Sequence, residues 1–525
     1  MAKFASPGDY KGYKSDKMVF VQQDKSIHDA KFETKPVSYL RGCWNRFRSN
    51  KGSIVAGIIL LLLVSFAVIV PFTTSRTVNW RDANYAYVLP KAPLFEGTGF
   101  WDGTDKTKIY DAQYKEYVLF ETEQKPIIEV LETGTEKDLQ NKDITYYYIR
   151  RDSYAVGAKE MRGVNASDIV SMKAWEEKNG RKIMLPIVDY EQYVIDYVDS
   201  EISKGRLFPV NRETTITNLS GRYKQDANVY YQLQLRSTGS AFEPVLDAEG
   251  NPIPLYMTDD EGNYVYSENI DSLGMEKLIR VDYNNYYEYL HGEKCYYIFG
   301  ANSNGFDIYV RLASGARLSL ILGVSVSVIN LLIGLFWGAV SGYYGGTVDL
   351  VMERITDILS AIPFVIMATL FQLHLAKQVG PIVSLLFAFV VTGWIGTAAT
   401  TRMQFYRFKD QEYVLASRTL GARDMRLIFV DILPNALGTL ITSSVLMIPS
   451  VIFSESSLSY LNIIDLSNSD ITSVGTLLNE GSEFVSSYPH MILFPAIFIS
   501  VLMITFNLIG NGLRDAFNPT LRGEE

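Results

Sequence analysis

Glu412-Tyr-Val-Leu-Ala-Ser-Arg-Thr-Leu-Gly-Ala-Arg-Asp-Met-Arg-Leu-Ile-Phe-Val-Asp-Ile-Leu-Pro-Asn435 is a polar, helix-forming stretch set between two apolar runs. Gln411 to Leu420 suits one short helix, and Ala422 or Arg423 to Ile432 a second. Gly421 between them permits a sharp turn, because glycine tolerates positive φ. Pro434 is expected to end the element and start the next helix. A helix–glycine–helix element held between membrane spans is suited to being gripped by another protein. Arg418, Arg423 and Arg426 would then offer charge contacts to that partner. The plain alternative is a solvated basic loop.

Around this stretch the chain is made of two materials, which the mean hydropathy of +0.04 averages away. Residues 1–52 and 73–312 are polar, whereas 53–72 and most of 313–513 are apolar. A helix needs about twenty apolar residues to cross a bilayer core. Five or six such runs can be read: Ser53–Phe72, about Leu318–Ser341, Ile355–Leu375, Ile382–Met403, about Ala436–Phe453 and Met491–Leu513. Core helices of a soluble protein rarely run this long without charge, so a multi-pass membrane protein is expected. The first run follows some fifty polar residues, lacks a small-x-small cleavage site and is long enough to span. It is therefore a retained anchor and not a signal peptide.

Lysine and arginine set the orientation. Lys31, Lys35, Arg41, Arg46, Arg48 and Lys51 precede the first run. Arg402, Arg407, Lys409, Arg418, Arg423 and Arg426 crowd the loop around Gly421, and Arg514 and Arg522 follow the last run. Residues 459–490 carry Asp465, Asp470, Glu480 and Glu483 with no Lys or Arg. The expectation is both termini and the Gly421 loop on the inner side of the cell membrane, and residues 73–312 outside. Cys43 and Cys295 then lie on opposite sides and cannot pair, so the outer segment folds without a disulfide of its own.

That outer segment is too long to be a structureless loop. Ile144–Arg150 and Val229–Arg236 alternate and are rich in tyrosine, as strands are. Gln113–Leu119, Asp168–Lys178 and Glu191–Lys204 suit helices, the last with Val194, Ile195, Val198 and Ile202 on one stripe. An acidic α+β domain is expected. Its tyrosines are either a peptide-binding platform or core, and core is the simpler reading. Residues 1–35 suit a tail. Val37–Phe47 is either an amphipathic helix along the inner membrane surface or an ordinary basic flank.

Within the apolar region, Gly334, Gly338 and Gly342 recur every fourth position on one helix face, where small residues let backbones approach. Gly345-Gly346 is expected to break that helix, with Asp349 capping the next. Glu353, Arg354 and Asp357 follow at helical spacing, paired with one another or anchored at the membrane boundary. No Gly-x-x-x-x-Gly-Lys-Ser/Thr occurs, so the chain cannot cradle ATP phosphates in that manner. His28, His291, His374 and His490 are scattered, no cluster has metal-ligand spacing, and no nucleophile–base constellation is visible. No catalytic or metal-binding residue is expected, and any energy source must be a partner.

The opening stretch resembles the EAA loop of the membrane subunits of ATP-binding-cassette (ABC) importers. Ala416, Ser417, Gly421, Leu433 and Pro434 fit that loop's spacing, with Leu415 at the place of the name-giving Glu and Asp431 at that of an Ile. Phe299–Leu320, Gly342-Tyr-Tyr-Gly-Gly-x-x-Asp349, Glu455-Ser-Ser-Leu-Ser459 and Asn507–Pro519 follow in the order found in the C-type permeases of oligopeptide and dipeptide importers. Ala301 and Phe306 replace that family's usual Thr and Arg, and Asn511 and Asn518 stand where Asp is common.

The resemblance covers about 299–520 and implies an all-α membrane domain of six transmembrane helices, the type I ABC importer permease. An inserted α+β exterior domain at 73–298 would add to it. The remaining divisions are a tail at 1–52, a first span at 53–72, a permease core at 299–520 and a coupling loop at 404–434. It further implies a second homologous permease, two cytoplasmic ABC ATPases that hold the ATP and Mg2+, an exterior substrate-binding protein and a peptide substrate in a lipid bilayer, with no nucleic acid. Ala416, Ser417, Arg418, Gly421, Ala422, Arg423, Leu433 and Pro434 would couple to the ATPases. Rival readings are a membrane sensor or adaptor, a secondary transporter or channel, and an importer of another solute such as a nickel chelate.

Overall fold

The computed structural model describes residues 39–110, 114, 126–137, 143–155, 159–187, 233–235, 242–244, 248, 253, 256–269, 277–464 and 471–517. Five helices in it are long and apolar enough to cross a membrane, and a bent helix pair makes a sixth candidate. The chain is a multi-pass membrane protein of mainly helical fold with a sheet-bearing segment between its first two spans.

Helix α1 (Tyr39–Ser49) meets α2 (Lys51–Thr73) at Asn50, whose side chain accepts from the backbone N–H groups of Gly52 and Ser53. Such a cap satisfies donors that the first helical turn leaves unpaired. The sheet-bearing segment follows. Strands β1 (Thr104–Tyr110), β2 (Ile127–Lys137) and β3 (Asp143–Asp152) form an antiparallel sheet with β3 in the centre. β4 (Lys159–Val164), β5 (Met184–Leu185), β8 (Ser267–Asn269) and β9 (Lys277–Asp282) form a second, all pairing with β9, and β6 (Leu233–Leu235) pairs with β7 (Phe242–Pro244).

Helix α3 (Ala166–Asn179) contains the helix expected at Asp168–Lys178, and β3 contains Ile144–Arg150. Of Val229–Arg236, Leu233–Leu235 is strand and the rest lies outside the described residues. Glu191–Lys204 also lies outside them, as does Gln113–Leu119 apart from Tyr114, which is helical. Five of the tyrosines go to the core: Tyr85, Tyr154, Tyr283, Tyr287 and Tyr297 are buried together with Val88, Met172, Ile183 and Ile279. Tyr283 and Tyr287 come from α4 (Tyr283–His291), which follows β9 directly.

Both ends of this segment are tied at its root. Arg76, just past α2, bonds the Asp307 carboxylate at 2.7 Å, the Tyr296 carbonyl at 2.8 Å and the Tyr287 hydroxyl at 3.2 Å. Its guanidinium also lies over the Trp80 and Tyr297 rings. Asp307 in turn caps α5 (Ile308–Tyr344) by accepting from Tyr309 N–H. Cys295 sits beside Arg76, and both cysteines are free and buried.

The second span, α5, starts ten residues before its apolar run, because its first turns are buried and Arg311 is paired with Glu480 at 2.7 Å. The third apolar run does not form one straight helix. Helix α6 (Gly346–Ser360) and α7 (Phe364–His374) meet at 72°. Pro363 precedes α7 there, and a residue ahead of proline is pushed out of helical geometry. Helices α8 (Pro381–Gly393) and α9 (Ile395–Phe408) make the fourth span. Beyond it lie α10 (Glu412–Thr419), α11 (Asp424–Arg426), a π-helical stretch Leu427–Ile432, and the fifth span α12 (Leu433–Tyr460). A short α13 (Val474–Ser482) and the last span α14 (His490–Phe517) complete the described fold.

Candidate coupling element and its seat

Helix α10 ends in a closed turn. Ala422 N–H reaches the Ser417 carbonyl at 3.1 Å, and Gly421 N–H reaches the Arg418 carbonyl at 3.0 Å. This pair of bonds is a Schellman motif, and its left-handed position falls on Gly421, whose φ is +86°. Arg423 is extended and starts the second arm. Pro434 stands in the first turn of the fifth span, as expected, but it does not break the arm from that span: Asp424–Tyr460 runs as one helix through it. In the π-helical register each N–H pairs five residues back, and a proline at the first turn of α12 has no N–H to leave unsatisfied. Leu433 is half-buried beneath the arm, and Pro434 is exposed.

The two arms rest on α5 and α9. Val414, Leu427, Ile428 and Ile432 are buried with Ala339, Tyr343 and Phe405, and Ala422 packs against them. Tyr343 touches both arms. Its hydroxyl donates to Asp424 at 2.6 Å, and the Arg418 guanidinium lies 5.7 Å from its ring centre. The opposite side of the element is open: Ala416, Arg418, Gly421, Arg423 and Arg426 are exposed, and Leu420 and Met425 are 89% and 64% exposed. Ser417 is half-buried.

The seat is held by a backbone-close helix pair. A Cβ on Gly334 would lie 2.7 Å from Thr397 Cβ, on Gly338 2.3 Å from the Ala398 carbonyl, and on Gly342 2.7 Å from Phe405 Cβ. All three contacts fall on α8–α9, so the glycine face of α5 is its contact with the fourth span. Asp349 does not cap α6. Gly345 holds that position, and the Asp349 carboxylate is taken by Arg402, which donates two bonds of 2.6 Å, with Tyr406 at 2.6 Å and Ser341 completing its shell. A bidentate guanidinium outcompetes a backbone cap for a carboxylate. Arg402 also meets Glu353 at 2.9 Å, while Arg354 and Asp357 form an exposed pair at 3.0 Å.

Two comparisons bear on this arrangement. Residues 330–523 match the family described as "Binding-protein-dependent transport system inner membrane component", and residues 38–92 match "N-terminal TM domain of oligopeptide transport permease C". The oligopeptide transport system permease protein OppC of Bacillus subtilis is 43% identical over 224 residues, 43% of this chain and 72% of that protein. This chain belongs to the C-type permeases of oligopeptide and dipeptide ABC importers. The dipeptide permease DppC of B. subtilis is 39% identical over 43% of this chain and 69% of its own length. OppC of Escherichia coli K12 is 35% identical over 42% and 72%. The two family matches of this permease leave residues 93–329 between them, and the sheets fall there.

Sequence reasoning placed the permease's turn at Gly421 but missed the side chains that seat it. Tyr343 and Asp424 are 81 positions apart, and Asp349 and Arg402 are 53 apart. The Tyr-Tyr of the Gly342 block was the available signal, since a tyrosine at a helix end beside water has a hydroxyl to place. Near the opposite end of the permease, Glu455 is buried among the hydroxyls of Ser319, Ser456 and Ser459. Glu480 there joins Arg311 to Asn302, at 2.7 and 2.9 Å. Among the described residues no three His, Cys, Asp or Glu side chains stand together as a metal site would need.

Proposed function

We propose that this permease forms one half of the translocation path of an ATP-driven importer of oligopeptides or dipeptides. A second, homologous permease supplies the other half. Two cytoplasmic ATPases, holding ATP and Mg2+, grip the Gly421 element of each. An exterior binding protein delivers the peptide, and the sheet-bearing segment, taken as 73–298, stands on that exterior side to dock or enclose it. The Lys/Arg distribution supports this orientation, with both termini and the loop 404–434 inside.

The observation that carries the reading is the shape of the coupling element. Its inner side is packed and bonded to α5 through Tyr343, and its outer side leaves Leu420 and Met425 exposed beside Arg423 and Arg426. Exposed apolar side chains rimmed by charge mark a protein contact. A force applied there is delivered to α5, whose other end meets Glu480 and the root of the sheet-bearing segment. That arrangement is what coupling between distant sites requires of a structure.

The test is a pull-down of the tagged chain from gently solubilised membranes, comparing wild type with Gly421→Asp. Co-purification of two ATPases and a second permease, with the ATPases lost in the variant, supports the reading. Recovery of the chain alone in both samples sinks it. For the outer segment, deletion with unchanged uptake and unchanged binding-protein association would remove its proposed role.

A further inference from the structure

A groove of about 1060 Å3 lies where the first sheet meets the start of α14. Its two walls differ in chemistry. The lower wall is Leu493, Phe494 and Ile497 of α14 with Phe100 and Trp101 facing them, and the upper wall is Thr104 to Thr107 of β1 with Arg151. Leu493 and Ile497 are one helical turn apart and each is about half exposed, at 50% and 49%. On a membrane-spanning helix, such a face meets acyl chains. Phe100 stands 64% exposed at the rim, and Leu94 on the same loop is 85% exposed. Trp101 is fixed against Phe494 with ring centres 5.5 Å apart, so this loop is pinned to the first turns of the span.

The upper wall is charged. Arg151 is held by Asp105 through bonds of 3.1 and 2.8 Å, which leaves Lys106 as a cation with no ion pair among the described residues. Among the described residues that line the groove, Lys106 and Arg151 are the cations and Asp105 the carboxylate. Apolar below, polar and cationic above, the groove repeats along the span axis the change from acyl chain to headgroup that a bilayer makes at its boundary.

We propose that this groove is a binding site for one phospholipid of the leaflet on the sheet side, with anionic headgroups preferred. Its acyl chain lies along Leu493, Phe494 and Ile497, in continuity with the bilayer-facing surface of α14. Its phosphate lies under β1, within reach of the Lys106 ammonium. The lipid fills the gap between the overhanging sheet and the span and so fixes their spacing. The site depends on α14 crossing the bilayer and not on what the permease carries.

The experiment uses the full chain, purified in mild detergent and titrated with phosphatidylglycerol or phosphatidylcholine of the same acyl composition under native mass spectrometry. One phosphatidylglycerol is expected to stay bound at lipid ratios that leave phosphatidylcholine dissociated, and Lys106→Glu should cut that retention several-fold. A second reading comes from bilayers whose acyl chains carry bromine. Trp101 should be quenched, seen as the part of the quenching that disappears in Trp101→Phe, and less so in Lys106→Glu when the brominated lipid is phosphatidylglycerol. Lys106→Gln replaces the charge-reversed variant if that one melts early. Equal retention of both lipids with no effect of either Lys106 variant overturns the proposal. So does a Ser487→Cys cross-link from the groove to a second permease or to a binding protein in intact membranes.

Discussion

Gly421 and Gly338 exclude a side chain for opposite reasons. At Gly421 the space is empty and the backbone is left-handed, so an added Cβ meets nothing but costs about 1–2 kcal/mol of conformational strain. Asparagine tolerates that region, so Gly421→Asn should melt within a few degrees of wild type and keep the ATPases proposed to grip it. Gly421→Asp, with similar backbone tolerance but a charge on the exposed turn, should lose them. At Gly338 the backbone is helical and the space is filled, with the Ala398 carbonyl 2.3 Å from a Cβ. Gly338→Ala should therefore cost about 1–3 kcal/mol by overpacking, read as earlier melting of the solubilised protein.

Tyr343→Phe and Asp424→Ala each remove the same bond. Their double-mutant cycle should show an interaction of about 0.5–3 kcal/mol, and uptake per ATP hydrolysed should fall in each single variant. Cys295 offers a check on the root. Burial pushes its thiol up to about 12, with the neighbouring Arg76 acting against the shift. The reactive thiolate is therefore scarce in the folded protein through pH 8 and rises only as pH approaches that value. Maleimide should label Cys295 in denatured protein and not in native protein at pH 8. Of these residues, Gly421 was visible from spacing alone, because a helix-ending glycine is a local event. Tyr343 was not, because a bond between residues so far apart leaves no period in the sequence.

Among the elements, the apolar runs were legible and their bends were not. Hydropathy counts residues without regard to direction, so the third run looked like one span although it turns by 72° between α6 and α7. The Ile362-Pro363 pair was the local sign of that break. Pro434 carried the same sign and marks no break, because the π-helical stretch before it absorbs the change. Asp349 shows a local rule losing to a distant partner: an acid just after two glycines suits a cap, but Arg402 takes it. That ion pair is largely buried, with side-chain exposures of 10% and 30%. Arg402→Leu should therefore destabilise by more than the roughly 1 kcal/mol of an exposed pair, though short of the roughly 3–5 kcal/mol of a fully buried one. Arg354→Ala, at an exposed pair, should change melting little.

For the molecule as a whole, the sheet-bearing segment and the Gly421 element sit at opposite ends of α5, about 55 Å apart at 1.5 Å per residue. The apolar spans and the tyrosine core could both be argued from composition, since each is a bulk property. How the segment is fastened could not. The Arg76 guanidinium, just past the first span, lies 2.7 Å from the Asp307 carboxylate that caps the second. Both ends of the segment therefore share one address on the membrane domain. A stretch of chain with that property is a cassette: replacing it by a short turn should leave the first two spans joined where they stand, at the cost of the Trp101 contact with the last span. A gene acquiring such a piece in a single recombination would keep a working membrane domain from the outset.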